Sequence, residues 1–177
     1  IQVFHDFASP YSYLGTVPLL GSDVVLRPML LGAVFKTIGA PLVPMATFTP
    51  ERRRWAAWDL AETARLRGLP FSFTSHFPLN TVAALRLAIL EPSLTEPLYR
   101  AAWGEDRDLG DLDVLRDVLV ENGHSPDLLA RTAEVKDVLR QNTEEAVRVG
   151  VPGAPTYRRG DQVYWGQDKL PLLRNLD

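Results

Sequence analysis

The chain has 177 residues, 46% of them hydrophobic, enough for one compact domain or a domain carrying an insertion. A chain of that size buries roughly 70% of its unfolded surface and needs no covalent staple. It contains no cysteine, which excludes disulfides, thiolate metal sites and any thiol nucleophile of its own, and which fits a cytoplasmic setting. A net charge of −3 argues against nucleic acid as a partner, and no apolar run approaches the about 20 residues of a membrane span.

Taken in chain order, Ile1 to Asp6 reads as a strand rich in β-favouring residues. The segment has neither the basic start nor the long apolar stretch of a signal peptide. Because it begins at Ile1 rather than Met, a few residues ahead of it are expected. A helix is expected from Pro10 to about Leu20, and Val24–Leu30 reads as a second strand, parallel to the first if the helix is a crossover. From Thr49 to Val149 the pattern turns helical. Trp55, Trp58 and Ala61 fall on one helical stripe, as do Val82, Leu85 and Ile89, then Leu112, Leu115 and Leu119, then Val135, Val138 and Leu139. Thr49-Pro50 and Ser125-Pro126 mark helix starts, and Asn122-Gly123 marks a stop. Strand-like sequence returns at Thr156-Tyr157 and Gln162–Trp165 around a turn at Arg159-Gly160-Asp161, and Gln167–Leu176 reads as a last helix. The order β-α-β, helical block, β-β-α describes an α/β frame with a helical insertion.

Ser9 follows the first strand, at the carboxyl end of the sheet, where α/β folds place ligands. It precedes Pro10 at a helix N-terminus, a position that favours a nearby negative charge. Three Ser/Thr-Pro pairs start helices in this chain, so capping alone also accounts for it. No Gly-x-Ser-x-Gly elbow surrounds it, so a hydrolase triad is unsupported. Ala154-Pro155 is either an ordinary turn or, with a cis bond, a backbone edge able to pair with a peptide-like ligand. Trp165-Gly166-Gln167-Asp168 offers an amide and a carboxylate that serve either as a helix cap or as a cradle for an amino-acid moiety. Arg52-Arg53-Arg54 is a solvated face from which one guanidinium could clamp a carboxylate. The acidic run Glu105–Asp113 misses calcium-loop spacing, and His5, His76 and His124 show no metal-ligand spacing, so no metal is expected.

The stretch Asp6-Phe7-Ala8-Ser9-Pro10-Tyr11-Ser12-Tyr13-Leu14 resembles the opening signature of 2-hydroxychromene-2-carboxylate isomerases. The blocks Arg27–Lys36, Phe77-Pro78-Leu79-Asn80-Thr81, Ala102-Trp103-Gly104 and Tyr164–Leu170 continue that resemblance in order, over nearly the whole chain. That family is similar to kappa-class glutathione transferases and to DsbA. The resemblance implies a thioredoxin-like fold of DsbA/kappa type, with residues 1–48 and 150–177 as the thioredoxin-like domain and 49–149 as a helical insertion domain, and a cytoplasmic homodimer. It implies that glutathione supplies the missing sulfur and that Ser9 hydrogen-bonds this sulfur and favours its thiolate. It further implies glutathione contacts from Arg52, Ala154, Pro155, Trp165, Gly166, Gln167 and Asp168, with Tyr11, Asn80 and Trp103 lining a pocket for a small aromatic substrate. Ala40 departs from the Asn that many kappa relatives carry, Pro152 replaces a bulky residue, and Arg52 stands for a lysine whose chemistry it does not copy. The expected activity is glutathione-dependent cis-trans isomerisation of an aromatic α-keto acid. The alternatives are a kappa-like transferase that releases the conjugate and a non-catalytic glutathione- or peptide-binding module. Lack of cysteine excludes a thiol-disulfide oxidoreductase.

Overall fold

The computed structural model describes residues 1–174. Its frame is a four-stranded sheet in the order β2-β1-β3-β4, formed by β1 (Gln2–His5), β2 (Val25–Pro28), β3 (Thr156–Arg159) and β4 (Gln162–Trp165). β1 and β2 run parallel, with Phe4 opposite Arg27, and are joined through helix α1 (Pro10–Thr16) as parallel pairing requires. β3 lies antiparallel to both β1 and β4, with Val3 opposite Tyr157 and Tyr157 opposite Tyr164. The turn between β3 and β4 carries Gly160 at φ 56, a left-handed conformation suited to glycine.

Strand alternation divides the core. Val3 points to one side of the sheet and packs with Leu19, Tyr157, Leu170 and Leu173. Phe4 points to the other, against Met29, Val34, Phe35, Ala146 and Val151. A third and larger cluster joins Phe7, Tyr13 and Leu14 at the end of β1 to Leu60, Leu85, Tyr99, Trp103 and Leu115 of the helical segment. That segment holds α3 (Pro50–Leu66), α4 (Val82–Leu90), α5 (Thr95–Trp103), α6 (Leu112–Glu121) and α7 (Lys136–Arg148). α7 serves both cores, giving Leu139 to the helical cluster and Ala146 to the sheet.

Several expectations change in detail. Helix α2 (Leu31–Ile38) was not anticipated, although Leu31, Val34 and Phe35 have helical spacing and Gly39 ends it at φ 73. The first helix stops at Thr16 rather than Leu20, and Val17–Leu19 form a 3-10 turn. Pro18 has no N–H to give to the Leu14 carbonyl, and the Arg67 guanidinium occupies that carbonyl instead. Trp55 and Trp58 mark a helix but not its buried face. They are 57% and 62% exposed, while Ala56, Leu60 and Ala64 face the core. Ser125 does cap a helical turn, but Pro126–Val135 is 3-10 throughout. The last predicted helix resolves into a 3-10 turn, Gln167–Lys169, and α8 (Leu170–Arg174); its final residues, 175 and 176, lie outside the described residues.

Gly15 is where α1 meets the sheet. A Cβ there would overlap the Tyr157 hydroxyl and the Pro155 ring and lie 3.2 Å from Gln167 Cα, while the Tyr157 hydroxyl donates to the Gly15 carbonyl at 3.0 Å. Gly15→Ala therefore forces α1, β3 and the Gln167 turn apart. Its expected cost is about 1–3 kcal/mol, read as a lowered urea midpoint, despite alanine's better helix propensity. An unchanged midpoint would show that the three elements do not touch there.

Candidate functional site

Ser9 sits where β1 passes into α1, with extended backbone (φ −113, ψ 120), as a helix cap requires. Its Oγ accepts the Ser12 N–H at 3.2 Å and donates to the Ala154 carbonyl at 3.0 Å. The hydroxyl thus joins residues 145 apart in the chain, and the Ala154-Pro155 bond beside it is cis. Both Ser9 and Ala154 are 7% exposed. The Ala154 backbone, expected to lie open at a strand edge, has its carbonyl taken by Ser9, while its N–H meets no acceptor among the described residues.

Beneath this pair lies a buried polar network. The Asp6 carboxylate accepts from the Ala8 N–H at 3.0 Å, the Thr81 hydroxyl at 2.7 Å and the Leu31 N–H at 2.8 Å. Burial raises its pKa, and these hydrogen bonds to the charged form pull against that rise. Ser12 Oγ accepts the Asp6 N–H at 3.3 Å and bonds the Tyr99 hydroxyl at 2.8 Å. The same Tyr99 hydroxyl lies 3.1 Å from His5 Nδ1. Burial pushes the Tyr99 phenol up and lowers His5 to about 3, so the imidazole is neutral at pH 7. Trp103 Nε1 donates to the Phe7 carbonyl at 2.8 Å. The turn that presents Ser9 is therefore held from strand, helix and helical segment at once.

The other expected site residues divide between two places. Gln167 lies against α1 at Gly15, and Gly166 N–H donates to the Pro155 carbonyl at 3.0 Å, which fixes this turn beside the cis bond. Gln167 Oε1 is already bonded by Arg67. Asp168 is exposed and pairs with Lys169 at 2.6 Å. The Trp165 indole lies over Gly153, where a Cβ would come within 2.7 Å of Nε1, yet Trp165 remains 55% exposed. Arg52 is exposed on α3, its guanidinium 4.0 Å above the Phe48 ring. The Tyr11 phenol is raised chiefly by burial and by the charge of Asp59, with the charge of Arg52 opposing.

Trp103 ends α5 and belongs to the helical core against which Tyr11 packs, whereas Asn80 lies just ahead of α4. Trp103 is fully buried against Phe71, Phe73 and Phe77, so it supports the Ser9 turn from within rather than lining an open pocket. Asn80 is exposed and lies against Gly110, one residue before the Thr81 that holds Asp6. The residues not foreseen are Asp6, Ser12, Thr81, Tyr99 and Arg67. Asp6 and Ser12 lie inside the opening motif, but the others are 53 to 100 residues from their partners and carry no local signal. No three His, Cys, Asp or Glu side chains come together to hold a metal among the described residues.

Comparison with known proteins bears on the fold. The sequence profile of the DSBA-like thioredoxin domain matches residues 1–176. The chain is 28% identical to the glutathione S-transferase kappa 2 of Caenorhabditis elegans, over 98% of this chain and 89% of that one. It is also 28% identical to the 2-hydroxychromene-2-carboxylate isomerase of Sphingobium xenophagum, over 99% and 96%. A solved 2-hydroxychromene-2-carboxylate isomerase structure superposes with a TM-score of 0.81 at 21% identity, covering 98% of this chain and 92% of that one. The fold is thioredoxin-like, of DsbA type.

The buried imidazole sets a pH dependence. In the unfolded chain His5 takes up a proton below about 6.5, whereas folded His5 stays neutral down to about 3, so acid favours the unfolded state. Between pH 7 and pH 5 this single group should remove about 2 kcal/mol of stability. His5→Gln keeps a polar group for Tyr99 and removes the titration. Urea midpoints at both pH values should therefore show a loss smaller by that amount in the variant; equal losses would place the titration elsewhere.

Proposed function

From its membership of the DsbA-like thioredoxin family, to which this chain belongs, we propose that it is a glutathione-dependent isomerase. Its substrate is an aromatic α-keto acid, with 2-hydroxychromene-2-carboxylate and trans-o-hydroxybenzylidenepyruvate as the interconverted pair. The observation that carries this reading is a serine hydroxyl between the Ser12 N–H and the Ala154 carbonyl, beside a cis-proline bond, in a chain with no cysteine. Glutathione, held by Ser9, Ala154 and the Trp165–Asp168 turn, would supply a thiolate able to add to a conjugated carbon and to leave again, so that the C–S bond made is the bond broken and no thiol is consumed. Everything else belongs to the protein.

Ser9 already accepts from Ser12, so its own proton is free to be aimed. In the ligand-free chain it goes to the Ala154 carbonyl. A turn of the hydroxyl about the Cβ–Oγ bond, with the Ser12 N–H still in place, re-aims it toward an anionic sulfur, which a charge-assisted hydrogen bond stabilises better than a neutral carbonyl is stabilised. The Ala154 N–H is the donor available to the backbone of a peptide-like ligand, and the exposed Trp165 face and Asp168 carboxylate suit its amino-acid end. Arg52, exposed on α3, suits a carboxylate of glutathione, and the half-buried Tyr11 on α1 suits the aromatic substrate. Arg67, by occupying Gln167 Oε1, leaves the Gln167 amide nitrogen as the donor for a ligand.

Residues 1–48 and 150–177 are read as the thioredoxin-like domain, with 49–149 inserted. The exposed Trp55 and Trp58 face of α3 suits burial against a second copy in a cytoplasmic homodimer. A monomer mass in light scattering would remove that assembly from the reading.

A kappa-like transferase is the second reading, favoured by the equal identity to the Caenorhabditis elegans relative. The two differ in their product. An absorbance assay on 2-hydroxychromene-2-carboxylate should show turnover only with glutathione present and no net loss of thiol. Net consumption would select the transferase, and glutathione-independent turnover would sink both. Ser9→Ala should lower kcat/KM by about 10²- to 10³-fold, the cost of removing one donor from a developing or resident anion. Full activity in that variant would remove Ser9 from the mechanism.

A further inference from the structure

Outside the Ser9 region, α2, α4 and α7 enclose a groove of about 440 Å³, within the range of small-molecule sites. Its lining combines aliphatic side chains, Leu30 and Ala33 on one side and Leu139 and Val147 on the other, with the charged Arg86, Lys136, Arg140 and Glu144. It lies along the helices that cover the Phe4 side of the sheet, and none of the residues proposed to hold glutathione lines it.

The groove carries cationic side chains without partners. Arg86, on α4, has a buried Nε with no hydrogen-bond acceptor. Neither its guanidinium nor the Lys136 ammonium meets a carboxylate among the described residues. The acidic groups nearby are already answered, since Arg140 bonds Glu144 at 3.0 Å and Asp137 at 3.3 Å. A guanidinium N–H removed from water with nothing to bond costs free energy that an incoming acceptor recovers. An aliphatic trough with an unmatched guanidinium and ammonium suits a ligand with a hydrocarbon body and one anionic end. Aromatic walls, which would favour a planar ring, are missing from the lining.

We propose that the groove between α2, α4 and α7 binds an aliphatic monocarboxylate, its carboxylate on Arg86 and Lys136 and its chain along Ala33, Leu139 and Val147. The site is separate from the chemistry at Ser9 and stands whether or not the isomerase reading holds.

Titration calorimetry of the full chain with decanoate, below its micellar concentration, tests this. One equivalent should bind, and decanol and acetate should each bind at least tenfold more weakly, because each lacks one half of the recognition. Arg86→Gln and the exposed Lys136→Met should each weaken decanoate about tenfold, the usual scale for one charge-assisted bond. Ala33→Leu, on a helix that tolerates leucine, should fill the trough and lose binding with both cations intact. Saturating glutathione should leave the affinity unchanged. Decanol binding as well as decanoate, unsaturable uptake, no binding, or indifference to both Lys136→Met and Ala33→Leu would each overturn the proposal.

Discussion

The buried carboxylate of Asp6 is the point from which the rest of the site is held. It lies at the end of β1 and is 2% exposed, and such a group is tolerated only when its lone pairs are used. Three donors use them: Ala8 N–H in the turn, Leu31 N–H at the start of α2, and the Thr81 hydroxyl just ahead of α4. Each comes from a different element, so the carboxylate can be satisfied only when strand, turn, crossover product and helical segment are in register together. Removing one donor leaves a desolvated acceptor, at a cost of about 1–3 kcal/mol, which is large against the stability of a single domain. The constraint is positional as much as energetic. Ser9 is three residues on, and the Ser12 that donates to it also receives the Asp6 N–H.

This arrangement explains how a chain without cysteine can keep a thioredoxin-like site organised. A thiol at the helix start would need its own proton removed. A hydroxyl needs only to have its proton directed: Ser12 N–H occupies the acceptor side of Ser9, and in the proposed reading the donor side chooses between the Ala154 carbonyl and an arriving anion. The Ala154 carbonyl acts as a placeholder that keeps the hydroxyl satisfied while it is 7% exposed. The exchange costs little, because one hydrogen bond replaces another, and it gains the difference between a neutral and a charged acceptor.

Much of the frame could be read from local pattern. β1, α1, β2 and the β3–β4 hairpin announce themselves by strand composition, by Pro after Ser, and by Gly at the tight turn, all short-range effects. The failures are equally physical. α2 is short and follows a strand directly, so its apolar spacing merges with the strand's own. On α3 the largest apolar side chains, Trp55 and Trp58, face outward while Ala56, Leu60 and Ala64 make the contact, so size misleads where only burial decides. Ser9 could be suspected from its position, and the segment around Ala154 from its Gly-Pro pattern, yet the bond between them spans 145 residues and no local signal specifies it. Tyr99, Thr81 and Arg67 are ordinary residues in ordinary helical or loop sequence. Their importance comes from where the fold delivers them, and no periodicity encodes that.

Those long-range partners also tie the helical segment to the turn that carries Ser9. Tyr99 hydrogen-bonds Ser12, 87 residues away, and Trp103 one turn later on α5 donates to the Phe7 carbonyl. Both side chains are fully buried in the helical core and both end on the turn that carries Ser9. A shift of α5 therefore cannot be absorbed within the helices. It must be met by the turn, because the phenol and the indole N–H have no solvent to bond instead. Arg67 applies the same logic on the opposite side, fastening the end of α1 to the Gln167 turn through the carbonyl that Pro18 leaves open. The helical segment is thus the outer half of the serine's support, and substitutions within it can alter the direction of one hydroxyl without approaching any ligand.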